Sequence, residues 1–177
     1  MKRSHVVWQW SAPAAALALV LCMLAPVIAA TPDIVLYTSD VTSNFGNWTS
    51  TSGAAAGGQY LASADMGRSA IGAPLASPTD YFEMMFNASA NTPYHVWLRL
   101  RAAANSKYND SVWVQFNDAT DVNGSAIYGI SSTSALLVNL ENCYACGDSG
   151  WGWQDKAYWM TQQSTLSTVS SPRNFVS

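Results

Sequence analysis

The sequence predicts an all-β protein built as an antiparallel β-sandwich, and three observations lead to this prediction. Residues 94–101 and 111–116 each alternate strictly between two faces, which is typical of half-buried antiparallel strands. Other short candidate strands are separated by turn signals every dozen or so residues. The chain after residue 30 contains no helix signal of useful length, which favours a sandwich over a mixed fold.

The first 30 residues have the layout of a secretory signal peptide. Lys2 and Arg3 provide the positive start, residues 13–28 are mostly apolar, and Ala29 and Ala30 end the run with small side chains. The run is short for a membrane helix, and no stop-transfer charges follow it. We therefore predict cleavage after Ala30, a secreted (extracellular or periplasmic) protein, and no membrane association of the mature chain.

The composition of the mature chain narrows the classes of partner. Removing 30 residues from a chain of 177 leaves 147, which is enough for one domain with one core. The net charge of the whole chain is −3, and loss of Lys2 and Arg3 makes it −5. Because no basic patch remains, nucleic acid is a poor candidate partner. Plentiful Ser, Thr, Asn, Ala and Gly suit a neutral polar ligand instead.

The other strands and the loops of the chain are predicted from the same local sequence patterns. Residues 45–52 are rich in turn formers and residues 64–78 are broken by glycine and proline, so both are predicted as loops. We expect residues 94–101 and 111–116 to form a hairpin around the polar loop 102–110. The remaining predicted strands are residues 33–40, 59–62, 81–87, 126–130 and 135–141.

Asp118, Asp121 and Asn123 resemble part of a calcium-binding loop. The pattern requires an acidic residue two positions before Asp121, where Ala119 stands, and no glutamate closes the loop. The Asn123-Gly124 pair is instead a strong signal for a chain reversal. We therefore predict a plain hairpin loop and assign no metal ligand and no cofactor. A structural calcium ion stays open as an alternative that no complete motif supports.

Cys143 and Cys146 have the spacing C-x-x-C. In an exported protein the first interpretation is a structural disulfide. Free thiols are the second interpretation, and metal binding or redox chemistry is the third. Redox chemistry would require a strand–helix context that is missing near residue 143, and zinc would require two further ligands.

One face of the central strand pair carries unusual side chains. Trp97, Arg99 and Arg101 share a face of the first strand, and Trp113 and Gln115 share a face of the second. Such a face can hold a glycan chain, or it can be the second buried side of a sandwich strand with arginine stems packed along the tryptophans. We favour the second interpretation.

Four motifs in order resemble a family of secreted bacterial domains. They are Trp97-Leu-Arg99, Asn109-Asp-Ser-Val-Trp-Val-Gln115, Cys143-x-x-Cys146 and Gly150-Trp-Gly-Trp-Gln-Asp155. The combination resembles the galactose-binding-like β-sandwich domains and is similar to carbohydrate-binding module families 6 and 35 and to malectin. The resemblance covers about residues 33–155. It implies a jelly-roll sandwich that binds glycans without catalysis.

The resemblance also implies a ligand site among loops at one end of the sandwich. Carried over by motif, Trp151 and Trp153 are the tryptophans that stack on a sugar ring, and Tyr108, Asn109 and Asp110 are their loop partners. An aromatic plane packs on the apolar face of a pyranose, and Asn and Asp side chains bind its hydroxyls. We expect one of the two tryptophans to be a core or rim plug, with the two side chains facing opposite ways.

The resemblance ends near Lys156, which divides the chain into three parts. Residues 1–30 are the predicted signal peptide, residues 31–157 the sandwich domain, and residues 158–177 a divergent tail without the two further strands of the family. The tail is rich in Ser and Thr without clear alternation, so we predict that it is disordered from about Thr161 onward.

The resulting function is a secreted, non-catalytic carbohydrate-binding module whose partner is a glycan or polysaccharide. The alternative is a structural or adhesive extracellular protein without specific glycan binding. An enzyme ranks third, and we predict no catalytic residues. Asp110, Glu141 and Asp155 show no spacing that suggests a glycosidase pair, and His95 is too isolated for a Ser-His-Asp set.

Overall fold

A computed structural model describes residues 32–169 and the backbone of Asn174–Val176. The predicted signal peptide falls on residues 1–30, which lie outside the described residues. The chain divides into the units Met1–Pro32 and Asp33–Ser177, and the fold concerns the second. Within the described ranges, no helix has the length and apolar character needed to cross a membrane.

The described part of the chain is all-β and contains no α-helix, which confirms the predicted all-β class. Three short 3-10 turns, at Thr38–Asp40, Ala56–Gly58 and Ala103–Asn105, interrupt the loops. The strands, in chain order, are β1 Val41–Phe45, β2 Trp48–Ser52, β3 Gln59–Ser63, β4 Tyr81–Phe86, β5 Tyr94–His95, β6 Leu98–Arg101, β7 Ser111–Val114, β8 Ala119–Thr120, β9 Leu136–Asn139, β10 Trp151–Gln154, β11 Thr165–Thr168 and β12 Asn174–Val176.

The strands pair in five antiparallel groups, which are β1–β4–β12, β2–β3, β5–β11–β8, β6–β10 and β7–β9. The predicted alternating strands are present as β5, β6 and β7, but the predicted hairpin between them is wrong. Strand β6 pairs with β10, and β7 pairs with β9. The loop 102–110 is long enough to carry the chain from one ladder to another, so nearness in sequence does not decide the pairing.

The core lies where β6, β7, β9 and β11 meet. It consists of Val114, Phe116, Ala119, Tyr128, Leu136, Val138 and Leu166. Leu98 and Leu100 of β6 pack against this cluster, whereas Arg99 and Arg101, which alternate with them, are exposed. This alternation is the period of two that the sequence predicts. Burying each large aliphatic side chain stabilises the fold by about 1.5–3 kcal/mol, which makes this cluster the main source of stability.

The N-terminal strands differ from the prediction. The predicted strand at residues 33–40 is extended chain followed by a 3-10 turn, and the segment predicted as a turn-rich loop contains the end of β1 and all of β2. The Asp80 carboxylate explains this, because its Oδ1 accepts hydrogen bonds from the backbone N and from Nδ2 of Asn47, both at 2.8 Å. A distant acid therefore holds the turn at Gly46 and Asn47, which local sequence cannot reveal.

Gly46 is essential to this turn, and Gly46→Ala is expected to lower the free energy of unfolding by about 2 kcal/mol or more. Its φ is +70°, a conformation that alanine adopts with strain. An added Cβ would meet the Asp80 carboxylate and lie 2.6 Å from the Thr79 carbonyl oxygen. Thermal melts provide the measurement, with Gly58→Ala as the control, since its φ is +75° but its Cβ would meet open space. Equal losses for the two variants would contradict a special role for Asp80.

The predicted disorder of the C-terminal tail is wrong for its described part. Strand β11 lies between β5 and β8, and strand β12 pairs with β4. Ser164, Leu166 and Thr168 are buried while the residues between them are only half-buried, which is the period of a strand. Two of these three buried side chains are hydroxyls, so the hydrophobic signal is weak. Residues 170–173 and 177 lie outside the described residues.

Candidate functional site

Strands β6 and β10 form a two-stranded ribbon with two different sides. In its register Trp151 is opposite Arg101, and Trp153 is opposite Arg99. Residues directly opposite in an antiparallel pair share a face, so these four side chains project to one side. Leu98 and Leu100 project to the other side, into the core. The ribbon therefore presents tryptophan and arginine outward.

The outward side of the ribbon is open and aromatic. Trp153 is 60% exposed and Trp97, which precedes β6, is 54% exposed. Trp151 is half-buried: the Arg99 guanidinium carbon lies 5.1 Å from its ring centroid, and Tyr60 makes an edge contact at 5.7 Å. These contacts hold Trp151 in one orientation. We call the surface formed by Trp97, Arg99, Arg101, Trp151 and Trp153 the tryptophan–arginine face.

This geometry corrects two expectations. Trp151 and Trp153 do not face opposite ways, because residues two apart in a strand lie on the same face. The favoured burial of the aromatic and arginine side is also wrong for β6, whose arginines and neighbouring Trp97 are exposed. Burial does apply to Gln115 beyond β7, which is 4% exposed and donates through Nε2 to two backbone carbonyls. The side chains predicted to share one face therefore lie on two surfaces: the arginines of β6 are exposed, whereas Gln115 is buried.

The other predicted ligand residues lie in the loop before β7. Tyr108 is 80% exposed, and the Lys107 ammonium lies 5.3 Å from its ring centroid. Asn109 Nδ2 donates to Asp65 at 3.1 Å, and this bond adds to the Gly67 backbone N–H in lowering the pKa of Asp65. Among the described residues, no ring contact or hydrogen bond joins this loop to Trp151 or Trp153.

Asp110 occupies a different environment from the other two loop residues. It is 6% exposed, and a carboxylate oxygen of Asp110 lies within 4.8 Å of oxygens of Glu141 and Asp148. Burial raises its pKa, a hydrogen bond from the Asn139 side chain opposes this, and the charge of Asp148 raises it further. Two unit charges 4 Å apart repel by about 4 kcal/mol at an effective dielectric constant of 20. Asp110 is therefore in a buried acidic group and not at the open surface.

The cysteine loop connects β9 to β10 and thereby to the tryptophans. Cys143 and Cys146 form a disulfide with Cα atoms 5.3 Å apart, which confirms the favoured interpretation of the C-x-x-C spacing. The bridge lies between Glu141 and Asp148 in the chain, and Trp151 follows three residues later. The loop thus carries two of the clustered acids and leads directly into the tryptophan–arginine face.

His95 has more partners than its sequence position indicates. Its Nε2 lies 3.0 Å from Asp155 Oδ2, and its Nδ1 lies 2.8 Å from Thr165 Oγ1. The buried Ser164 hydroxyl donates to the same Asp155 oxygen at 2.9 Å. A serine nucleophile requires the histidine between it and the acid, whereas Ser164 and Asp155 meet the same ring nitrogen. This group therefore ties β11 to β5 and the end of β10 and does not form a catalytic relay.

Comparison with protein-family models, curated proteins and solved structures gives no match to this chain. The tryptophan–arginine face offers both apolar ring surfaces and hydrogen-bond donors. Indole rings pack on the C–H face of a sugar, and guanidinium groups donate to its oxygens. Sequence alternation identified Trp97, Arg99 and Arg101, but only the β6–β10 pairing places Trp151 and Trp153 on the same face.

Proposed function

We propose that this protein is a secreted, non-catalytic carbohydrate-binding module. The observation that carries this proposal is the outward position of Trp153 and Trp97, 60% and 54% exposed, beside Arg99 and Arg101 on one side of the β6–β10 ribbon. Exposed aromatic side chains gathered on one surface mark an interaction site more often than scattered ones do. In this proposal Trp153 stacks on the sugar ring, and the arginines bind its hydroxyls.

The β6–β10 ribbon is suited to binding a sugar because the ring of Trp151 is already held in place. Arg99 over the Trp151 ring and Tyr60 at its edge orient that tryptophan before any ligand arrives, which reduces the entropy lost on binding. At about 0.3 kcal/mol per non-hydrogen atom, a disaccharide of roughly 23 such atoms gains about 7 kcal/mol. The expected dissociation constant is therefore no tighter than about 10 µM.

The proposed fold is the jelly-roll β-sandwich of the galactose-binding-like domains. Leu98 and Leu100 from the β6–β10 ladder pack against the core cluster, to which the β7–β9 ladder contributes Val114, Leu136 and Val138. This packing supports two sheets facing each other across one core. In such a sandwich the tryptophan–arginine face is the outer side of one sheet, and the side chains of its arginines remain in contact with water.

Secretion is part of the same proposal. The predicted signal peptide at residues 1–30 supports it, and so does the Cys143–Cys146 disulfide, because disulfides persist in oxidising compartments. A neutral glycan outside the cell is the partner that suits a chain with few charges and a surface of Ser, Thr and Asn.

A glycan array probed with the purified chain tests the proposed function. We expect binding to at least one class of neutral glycan at a protein concentration of about 100 µM, which is tenfold above the tightest dissociation constant expected. Tyr108→Ala should retain this binding, because Tyr108 has no described contact with the tryptophan–arginine face. An array without any signal would reject the proposal. Self-association that no sugar changes would instead favour the structural or adhesive alternative.

A further inference from the structure

A group of three carboxylates lies at the end of the β7–β9 ladder. Asp110 directly precedes β7, and the ladder pairs the next residue, Ser111, with Asn139 at the end of β9. The backbone N of Leu140 donates to the Asp110 carbonyl at 2.8 Å, so the ladder continues past the strands. This pairing places Glu141 beside Asp110, and the cysteine loop then brings Asp148 to the same position.

The group contains a buried oxygen that lacks a partner. Asp148 is 7% exposed, and its Oδ1 has no hydrogen-bond donor within the described ranges. The ion pairs found in the described part of the chain are Arg68–Asp80 and His95–Asp155, neither of which involves these acids. Buried carboxylates are stable when they are paired or coordinate a metal.

The donor set identifies the class of cation. All three side chains offer oxygen, and the nearby cysteine sulfurs are joined in a disulfide, so a hard cation is favoured over zinc. The oxygens lie within 4.8 Å of one another, near enough for a single ion to contact all three at Ca–O distances of about 2.4 Å. Mg²⁺ is less favoured, because it demands near-ideal octahedral geometry and dehydrates reluctantly.

We propose that Asp110, Glu141 and Asp148 form a Ca²⁺-binding site that fastens the cysteine loop to the β7–β9 ladder. The ion offsets two of the three negative charges. It also connects Glu141 and Asp148, which lie on either side of the disulfide, to the start of β7. This site differs from the Asp118–Asn123 loop considered in the sequence. There the Asp121 carboxylate accepts backbone N–H bonds from Asn123 and Ser125, which is the role of a turn residue.

The ion also has a consequence for the neighbouring surface, because the cysteine loop leads directly into Trp151. Bound Ca²⁺ restrains the start of β10 and with it the tryptophan–arginine face. The site does not require glycan binding, since the burial and the unpartnered oxygen are independent of any sugar.

Calcium titration of the purified, EDTA-treated chain tests the site. We expect isothermal titration calorimetry with CaCl₂ to give one ion per chain and a dissociation constant on the order of 10⁻⁴ M, as in other extracellular calcium modules. At 10 mM CaCl₂ the melting temperature should rise by roughly 5 °C or more, and MgCl₂ should have a much smaller effect. A folded wild-type chain without saturable Ca²⁺ binding up to 10 mM would overturn the proposal.

The variant Asp148→Asn separates a metal site from a merely structural cluster. It should lose at least tenfold in Ca²⁺ affinity, yet its melting temperature in EDTA should be no lower than that of the wild type, because one repelling charge is removed. Glu141→Gln, at a half-buried position, should lose affinity in the same way if Asp148→Asn folds poorly. Asp121→Asn is the matched control and should bind Ca²⁺ like the wild type. Binding lost in Asp121→Asn but kept in Asp148→Asn and Glu141→Gln would contradict the proposal.

Discussion

Replacing Trp153 by alanine is expected to weaken glycan binding by at least about 30-fold while leaving the melting temperature nearly unchanged. Loss of a central aromatic contact in a binding site costs about 2 kcal/mol or more, which corresponds to this factor. The stability should hardly change because Trp153 is 60% exposed and its removal uncovers little core. Affinity electrophoresis in a gel containing the bound polysaccharide measures the first effect, and a thermal melt measures the second.

Trp159→Ala is the matched control for this experiment. Trp159 is 52% exposed and makes an edge contact with Tyr158 at 4.7 Å, but it lies outside the β6–β10 ribbon. Its loss should leave glycan binding within about twofold of the wild type, since it lies outside the proposed site. Equal losses in the two variants would show that binding is a general property of exposed tryptophans. A normal affinity of Trp153→Ala would place the ligand elsewhere on the molecule.

The largest expected effect on stability is that of Leu136→Ala, which should lower the free energy of unfolding by about 3–5 kcal/mol. Leu136 is 0% exposed, lies opposite Val114 in the β7–β9 ladder, and belongs to the core cluster. Its removal leaves a cavity among residues that are held on several sides and cannot fully collapse. Since domains are stable by only about 5–15 kcal/mol, urea unfolding should show a clear shift of the midpoint.

Leu137→Ala provides the control within the same strand. Leu137 projects from the opposite side of β9 and is only half-buried, so the same change should cost about 1 kcal/mol. A similar loss at both positions would mean that β9 is buried equally on its two sides. A larger loss at Leu137 would contradict the described position of the core.

Local sequence patterns predicted where strands lie better than they predicted which strands pair. The alternation in residues 94–101 correctly predicted half-buried strands, because side chains alternate within any single strand. In residues 111–116 it predicted a strand but not its burial, because Val114, Gln115 and Phe116 are all buried. The same pattern carries no information on which strands form a ladder, and β6 pairs with β10 across about 50 residues of sequence. The order of the tail was not predicted for a related reason: within its described part, Leu166 is the only aliphatic side chain in the core cluster.

The residues of the candidate site could likewise be predicted one by one, but their spatial arrangement could not. The sequence identified Trp97, Arg99, Trp151 and Trp153 individually, but their common face follows from the β6–β10 register. The acidic group was missed because Asp110 and Asp148 are 38 positions apart in the chain and meet only through the β7–β9 ladder and the cysteine loop. Spacing motifs detect ligands that are close in sequence, and this arrangement has no such spacing.

Glycan binding by the tryptophan–arginine face is tested most directly by the indole N–H resonances of the ¹⁵N-labelled chain. The strongest glycan from the array would be titrated while each tryptophan signal, assigned by single substitution, is followed. We expect the indole N–H signals of Trp153, Trp97 and Trp151 to shift until they reach saturation. The signal of Trp159 should not shift. Saturable binding that leaves Trp97, Trp151 and Trp153 unmoved would contradict the account.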